Sequence, residues 1–336
     1  SIATDPANFW DSKKGIYVQD YKPDWEVPVN FELFETNDST NVAYNGMAGV
    51  KINGLYSWQL PQKMLGVYFK KKYGDSKLSY KLFYDSPRSN FDNFSLRASG
   101  NDWSNTLFRD GLLQQACRLG NENLDLMAFR PSLVYLNGAF LGIHNIRDKV
   151  DKDYISEYYG LKPSTFDMVI GGNTVENGSL AAWDSLTTLT NKDLSQQANF
   201  DAVANCFDVE NFSDYIIAEL YSKNTSISHN TMAWKPIGSG KWRWVLMDAD
   251  RGFFGDGDDL LDYYVKIDVW PLAQMMKNTS YKSYFCQRIA DQLFTTFNPI
   301  AVNQQIDQHQ KDIEAAMPKQ ITRWLGTTSS YGNAMP

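Results

Sequence analysis

The chain has 336 residues, 43% hydrophobic and 21% charged, a globular composition with room for one large or two small domains. A net charge of −7 without a broad basic field excludes a phosphate-backbone partner, so no nucleic acid is expected. No apolar run approaches the roughly 20 residues that a membrane-spanning helix needs.

In chain order, the first 145 or so residues read mainly as strands and turns. Val27–Phe34 alternates like a half-buried strand, and Gly46–Gly54 reads as a strand entering a glycine turn. Met64–Lys71 is a further predicted strand. A helix then interrupts, with Asn105-Thr106 as its cap, an apolar stripe through Leu107, Leu112, Leu113, Ala116 and Cys117, and a stop at Gly120. Ser132–Leu136 and Phe140–Ile146 flank Asn137-Gly138, the strongest short hairpin signal. From about Lys149 the pattern becomes helical: Asp153–Tyr159 closed by Gly160, Leu180–Thr190 capped by Ser179, and an amphipathic run from Asp208 to Lys223. A second hairpin pairs Thr231–Lys235 with Trp242–Met247, and Tyr281–Leu325 is helical again. Cys117 and Cys286 fall in helical patterns that predict buried thiols, and with Cys206 they form no CxxC or zinc spacing.

Three segments have the residue types of a site that neutralises phosphate. Lys63 begins a strand nine residues after Gly54, where an ammonium reaches phosphates held under a glycine-bearing turn; the competing reading is a plain exposed lysine. Asp248 and Asp250 close an apolar strand, where acids are costly to desolvate without ionic partners. Strand alternation would aim both carboxylates to one side, as metal chelation wants. Asp256, Asp258, Asp259 and Asp262 follow in one acidic loop, solvated or able to hold Ca²⁺. Between helix and hairpin, Asn224–Thr231 supplies Ser226, Asn230 and His229, polar groups for a cleft or for a simple capping loop. The distant His144 and His309 make a histidine zinc site an unlikely design.

Read in order, these segments resemble the CotH kinase family, the spore coat protein H-like atypical protein kinases. Gly54 through Pro61-Gln62-Lys63 is similar to the family's glycine turn and Pro-Gln-Lys strand. Leu96–Asp102 followed by Phe108-Arg109-Asp110 resembles its LR-x-x-G-x-D … RDAL segment. Tyr135–Gly138, Leu141-Gly142 and Arg147–Asp151 resemble its YLNG … LG … REKID run, and Lys241–Asp250 its KWRW … DxD run, with Phe253 and Gly255 following and Arg323-Trp324 late in the chain.

The resemblance implies an α+β, bilobal protein-kinase-like fold. A small antiparallel β lobe with one inserted helix would span 1–146, and a larger, mainly helical lobe 147–336. The element order agrees with that architecture. It also implies ATP and Mg²⁺ as cofactors and a Ser/Thr-rich protein as acceptor. Gly54 and Lys63 would serve the phosphates, with Asp110 orienting the lysine and Arg147 and Asp148 at the lobe junction. Asp248 would be the main metal ligand, with Asp250 and Asn230 assisting. The family's N-x-D-x-x-x-N-N run reads here Asn224-Thr225-Ser226 and then Asn230-Thr231, so Ser226 stands where an acceptor-orienting Asp is expected. Trp58 replaces an Arg, and Asp148 a Glu. A serine cannot act as a carboxylate base, which leaves Asp250 or His229 to substitute or leaves the chain a pseudokinase. The alternative is therefore a non-catalytic, exported surface module that grips a protein or glycan. Export to the cell surface or periplasm is the expected localisation.

Overall fold

The computed structural model describes residues 1–35, 38–228, 230–238, 240–254, 260–267 and 269–324. Its strands, in chain order, are β1 (Ile2–Ala3), β2 (Val27–Glu35), β3 (Asp38–Ile52), β4 (Leu65–Tyr68), β5 (Leu78–Ser79), β6 (Asn90–Phe91), β7 (Asn93–Arg97), β8 (Asp125–Leu126), β9 (Phe129–Leu136), β10 (Ala139–Arg147), β11 (Phe166–Ile170), β12 (Thr174–Asn177), β13 (Met232–Pro236) and β14 (Arg243–Leu246). The chain divides into two units. One comprises Ser1–Phe108, Ala128–Lys149 and the stretch from Gln308; the other comprises Arg109–Met127 and Val150–Asp307.

The first unit is a closed barrel in the order β1-β2-β3-β4-β7-β10-β9. Alternation places Val27, Val29, Phe31 and Leu33 of β2 inside, with Val50, Ile52, Leu65, Val67, Phe94, Leu96, Val134 and Leu136 from the other staves. The expected bilobal kinase-like body with a small antiparallel β lobe is overturned here by the closed barrel, although the chain is mixed α+β. Closure comes from two residues: Ile2 pairs with Phe31 of β2 and with Leu136 of β9, which removes both free edges. The helix expected within that lobe, observed as Arg109–Leu119, packs elsewhere. Its buried Leu113, Ala116 and Cys117 join the core of the second unit with Phe212, Tyr215, Ile216 and Trp244.

The second unit has a five-stranded sheet, β12-β11-β13-β14-β8, and most of the helices. The helix Val209–Tyr221 begins at Asp208, whose side chain accepts from the Asn211 amide. The helix Lys152–Tyr159 is capped by Asp151 and closed by Gly160 at φ 66°. Ser179 does not cap the helix Ala181–Thr190; its amide donates to Asp167 Oδ1 at 2.8 Å. The hairpin β9–β10 turns through Asn137 at φ 50° and Gly138 at φ 80°, the backbone that Asn-Gly favours. Cys286 is exposed, contrary to expectation. On the helix Thr279–Phe294 the inward positions are Tyr281, Phe285 and Ile289, four apart, and residue 286 falls off that stripe.

Candidate functional site

In the first unit, the motif residues around Gln62 are a packing cluster. Gln62 is fully buried; its Nε2 donates to Ile143 O at 2.7 Å, and its Oε1 accepts from Gln320 Nε2 at 2.5 Å. Gln320 Oε1 in turn accepts from the Ile143 amide at 2.8 Å, and Trp324 Nε1 donates to Leu141 O at 2.9 Å. Gly142, at φ 149°, leaves the space: a Cβ there would lie 2.5 Å from Gln62 Nε2 and 2.8 Å from Trp324 Nε1. The Pro-Gln-Lys, Leu-Gly and Arg-Trp motifs thus meet at one point of the barrel wall. Beside them His144 is wholly buried, and burial pushes its imidazole down to about 4, so it is a neutral structural group.

Lys63 follows Gln62. Its ammonium donates to Trp58 O and, at 3.5 Å, to Leu60 O. It lies 5.8 Å from the ring centroids of both Tyr17 and Trp58. Desolvation lowers its pKa. Gly54, at φ 94°, turns the chain toward this loop where a Cβ would sit 2.1 Å from Ser57 Oγ. Arg147 and Asp148 are both buried: the Arg147 guanidinium lies 5.7 Å from the Phe129 ring, and Asp148 is ion-paired with Arg88, which the sequence did not single out.

In the second unit, Asp110, Asn224, Ser226, Asn230, Asp248 and Asp250 come together around the end of the helix Val209–Tyr221. After Lys223, at φ 53°, the Asn224 amide donates back to Glu219 O at 3.0 Å. Tyr264 Oη reaches Glu219 O at 3.1 Å and Asn224 O at 2.5 Å. Asn224 Oδ1 accepts from the Ser226 amide at 3.0 Å, and Asn230 Nδ2 donates to Ser226 Oγ at 3.4 Å. Asn224 Nδ2 lies 3.5 Å from Asp248 O. Asp110, at the start of its helix, accepts the Ala249 amide at 3.2 Å, between the two acids of the DxD motif. Phe253 N donates to Ser222 O at 2.5 Å, and a Cβ on Gly252 would lie only 3.1 Å from Ser222.

The expected alternation of Asp248 and Asp250 does not occur. The strand ends at Leu246, Asp248 adopts φ 55°, and Asp250 is buried in the turn that follows. A non-glycine residue held in the left-handed region costs of order 1–3 kcal/mol and persists where its surroundings over-determine it.

Glu219, missed from the sequence, is fully buried beside these groups. Burial raises its carboxyl to about 8; the Asn224 side chain opposes the shift, and Asp110 and Asp248 add to it. The signal was present: Phe212, Tyr215, Ile216 and Glu219 share one helical face, and an acid on an apolar stripe asks for a reason.

His229, Gly255, Asp256, Asp258 and Asp259 lie outside the described residues; Asp262 is exposed and paired with Lys266 at 2.5 Å. Among the described residues no three His, Cys, Asp or Glu side chains are grouped to cage a metal ion. The acids at Asp110, Glu219 and Asp248 nevertheless interact across a desolvated patch, a field that a cation relieves. With Glu219 held protonated and no such group among the described residues, these carboxyls do not make an all-protein Ca²⁺ cage.

No helix among the described residues is long and apolar enough to cross a membrane. Comparison with curated proteins gives no match. The model of the CotH family, described as CotH kinase protein, matches residues 50–334, which takes in the barrel staves from β4 onward, the Gln62 cluster and the Asn224–Asp250 loops. The chain therefore belongs to the CotH kinase family.

Proposed function

We propose that the Asn224–Asn230 loop and the Asp248–Asp250 turn serve a Mg²⁺-dependent nucleotide site, and that phosphoryl transfer to protein Ser/Thr hydroxyls is weak or lost. Membership in the family carries a kinase-related function. The observation that carries the rest is Asp248, kept at φ 55° while the next amide is tied to buried Asp110. Asp248 would hold the ion, with Asp250 and Asn230 beside it, and the ion would supply charge neutralisation for phosphate oxygens. In the first unit, and as a separate proposal, Lys63 is a phosphate-binding cation whose partly desolvated ammonium trades the Trp58 and Leu60 carbonyls for phosphate.

Ser226 supports a degenerate centre. It accepts from Asn230 where a carboxylate would take the acceptor proton, and loss of a positioned base costs about 10²–10⁴-fold. Mg·ATP at about 100 times its Kd is expected to stabilise the protein by about 2.7 kcal/mol in a thermal-shift assay. Asp248→Asn should abolish that shift, and Ser226→Asp should raise transfer of labelled phosphate by about 10²-fold or more. No Mg·ATP shift in the wild type overturns the nucleotide site. Strong wild-type transfer, unaltered by Ser226→Asp, overturns the degenerate assignment.

The second reading is an exported surface module without transfer activity. It rests on Ser226 and on the aromatic content of 19 Tyr, 19 Phe and 10 Trp.

A further inference from the structure

The seal that β1 makes in the barrel wall is local. Ile2 pairs with Phe31 of β2 and Leu136 of β9, and Ser1 O accepts from the Glu32 amide at 2.9 Å. Past that point β2 runs on to Glu35, and the facing stretch of β9 reaches back to Phe129. Between them, wholly within the first unit, lies a slot of about 460 Å³, inside the roughly 300–1,000 Å³ usual for ligand sites. At its far end Arg130 of β9 and Glu35 of β2 form a two-pronged ion pair.

The slot continues the line that β1 already occupies, so it is one strand wide. Carried on from Ile2, the register is antiparallel to β2 and parallel to β9. It sets one position opposite Leu33 and Val134, and the next opposite Phe34 and Leu133. Leu33 and Val134 are buried and make an apolar floor with Leu96 of β7 and Ile146 of β10. Phe34 and Leu133 point outward, 38% and 47% exposed, one on each rim. The Asn137 amide donates to Ile2 O at 2.8 Å, so by alternation the backbone groups of Tyr135, Leu133 and Pro131 face the slot. Pro131 brings no donor, as suits a strand edge. Among the described residues, β1 is the one strand paired on this side of either rim.

These surfaces select an occupant by what they present. An extended backbone offers donors and acceptors to both rims at once, to Leu133 and Tyr135 on one side and to Phe34 on the other. Its successive side chains point to opposite faces, and each face meets apolar surface. A bare hydrocarbon chain would fill the floor, strip water from the same backbone groups and return no hydrogen bond to them.

We propose that the slot binds one extended segment of a partner protein, added as a strand between β2 and β9 in line with β1. The segment carries apolar side chains at two successive positions. One points inward onto Leu33, Val134, Leu96 and Ile146, and the other lies outward between Phe34 and Leu133. The Arg130–Glu35 pair ends the slot, so the stretch that is recognised is short. Ser1–Ile2 shows the mode of binding, since it already holds both rims by the same two ladders. The site is independent of the nucleotide centre assigned above.

The experiment is a nuclear magnetic resonance titration of the intact chain, without nucleotide or metal, with the capped peptide Thr-Val-Val-Thr. The same peptide N-methylated at both valines, a capped Thr-Asp-Asp-Thr peptide and octanoate serve as comparisons. The first peptide is expected to bind at about 1 mM and to protect the Phe34, Leu133 and Tyr135 amides from hydrogen exchange. Phe34→Ser combined with Leu133→Ser, both at exposed positions, should weaken binding about tenfold without altering the melting temperature. Val134→Phe, which fills the floor, should abolish it. No binding of the valine peptide at about 1 mM overturns the proposal. So does equal binding of the N-methylated peptide, a preference for octanoate or for the aspartate peptide, or binding that the double serine variant leaves unchanged.

Discussion

Glu122 shows how much a single carboxyl can report. It shares Arg288 with buried Asp214: Arg288 Nη2 lies 3.0 Å from Glu122 Oε2 and 2.8 Å from Asp214 Oδ2. Burial raises Glu122 to about 7; the Thr296 hydroxyl and Arg288 pull it down, and Asp214 pushes it up. The folded state thus holds a proton that an unfolded glutamate releases near 4.5. A raised acid pKa stabilises the fold at low pH, and that contribution is lost as pH rises from about 4.5 through 7. Glu219, raised to about 8, acts in the same direction. Urea midpoints should therefore fall between pH 5 and 8, by at most about 1.4 kcal/mol per unit for each group. Glu122→Gln should flatten the part below pH 7; a wild-type midpoint that climbs through this window refutes the assignment. At this scale the sequence was readable where chemistry is local, as for Gly160 closing the helix Lys152–Tyr159, though not for the Ser179 cap. It misled at Asp248, because a left-handed φ is set by the Asp110 tether from a helix more than a hundred residues away.

Among the elements, the hairpin β9–β10 shows a motif whose meaning is steric. Asn137-Gly138 announces the turn by local backbone preference alone. Gly142, four residues on, has no local reason to be glycine; Gln62 and Trp324 supply it from distant stretches of chain. Gly142→Ala meets both a strained φ of 149° and an occupied space, so a loss of more than about 1 kcal/mol in urea unfolding is expected. Unchanged stability would show that Gln62 moves aside freely. The string of the family resemblance is thus partly a packing code, and among the described residues the loop from Asn224 and the turn Asp248–Asp250 bring polar groups together. Strands β11 and β12 and the helix Gln197–Cys206 were not legible. Their patterns are short, and their faces are defined by partners such as β13, which pairs with β11 from Phe166 to Ile170.

At the scale of the molecule, the chain enters the second unit at Arg109, returns to the barrel at Ala128, leaves again at Val150 and comes back at Gln308. A cut near residue 149 therefore does not yield a complete barrel unit. The fragment 1–149 carries the helix Arg109–Leu119, whose Leu113 and Cys117 would be stripped of Phe212 and Trp244, and it lacks Gln320 and Trp324. It is expected to show no cooperative thermal transition, whereas the full chain should unfold cooperatively in calorimetry; a sharp transition in the fragment would disprove the interleaving. Element order led toward a small antiparallel β lobe rather than a closed barrel because the closing stave is two residues long, below the length at which alternation carries information.

That shortest stave, Ile2–Ala3, is also the barrel's latch. Its fully buried Ile2 holds two neighbours that have no direct ladder to each other, so a single charged replacement there would unfasten the wall from both sides at once.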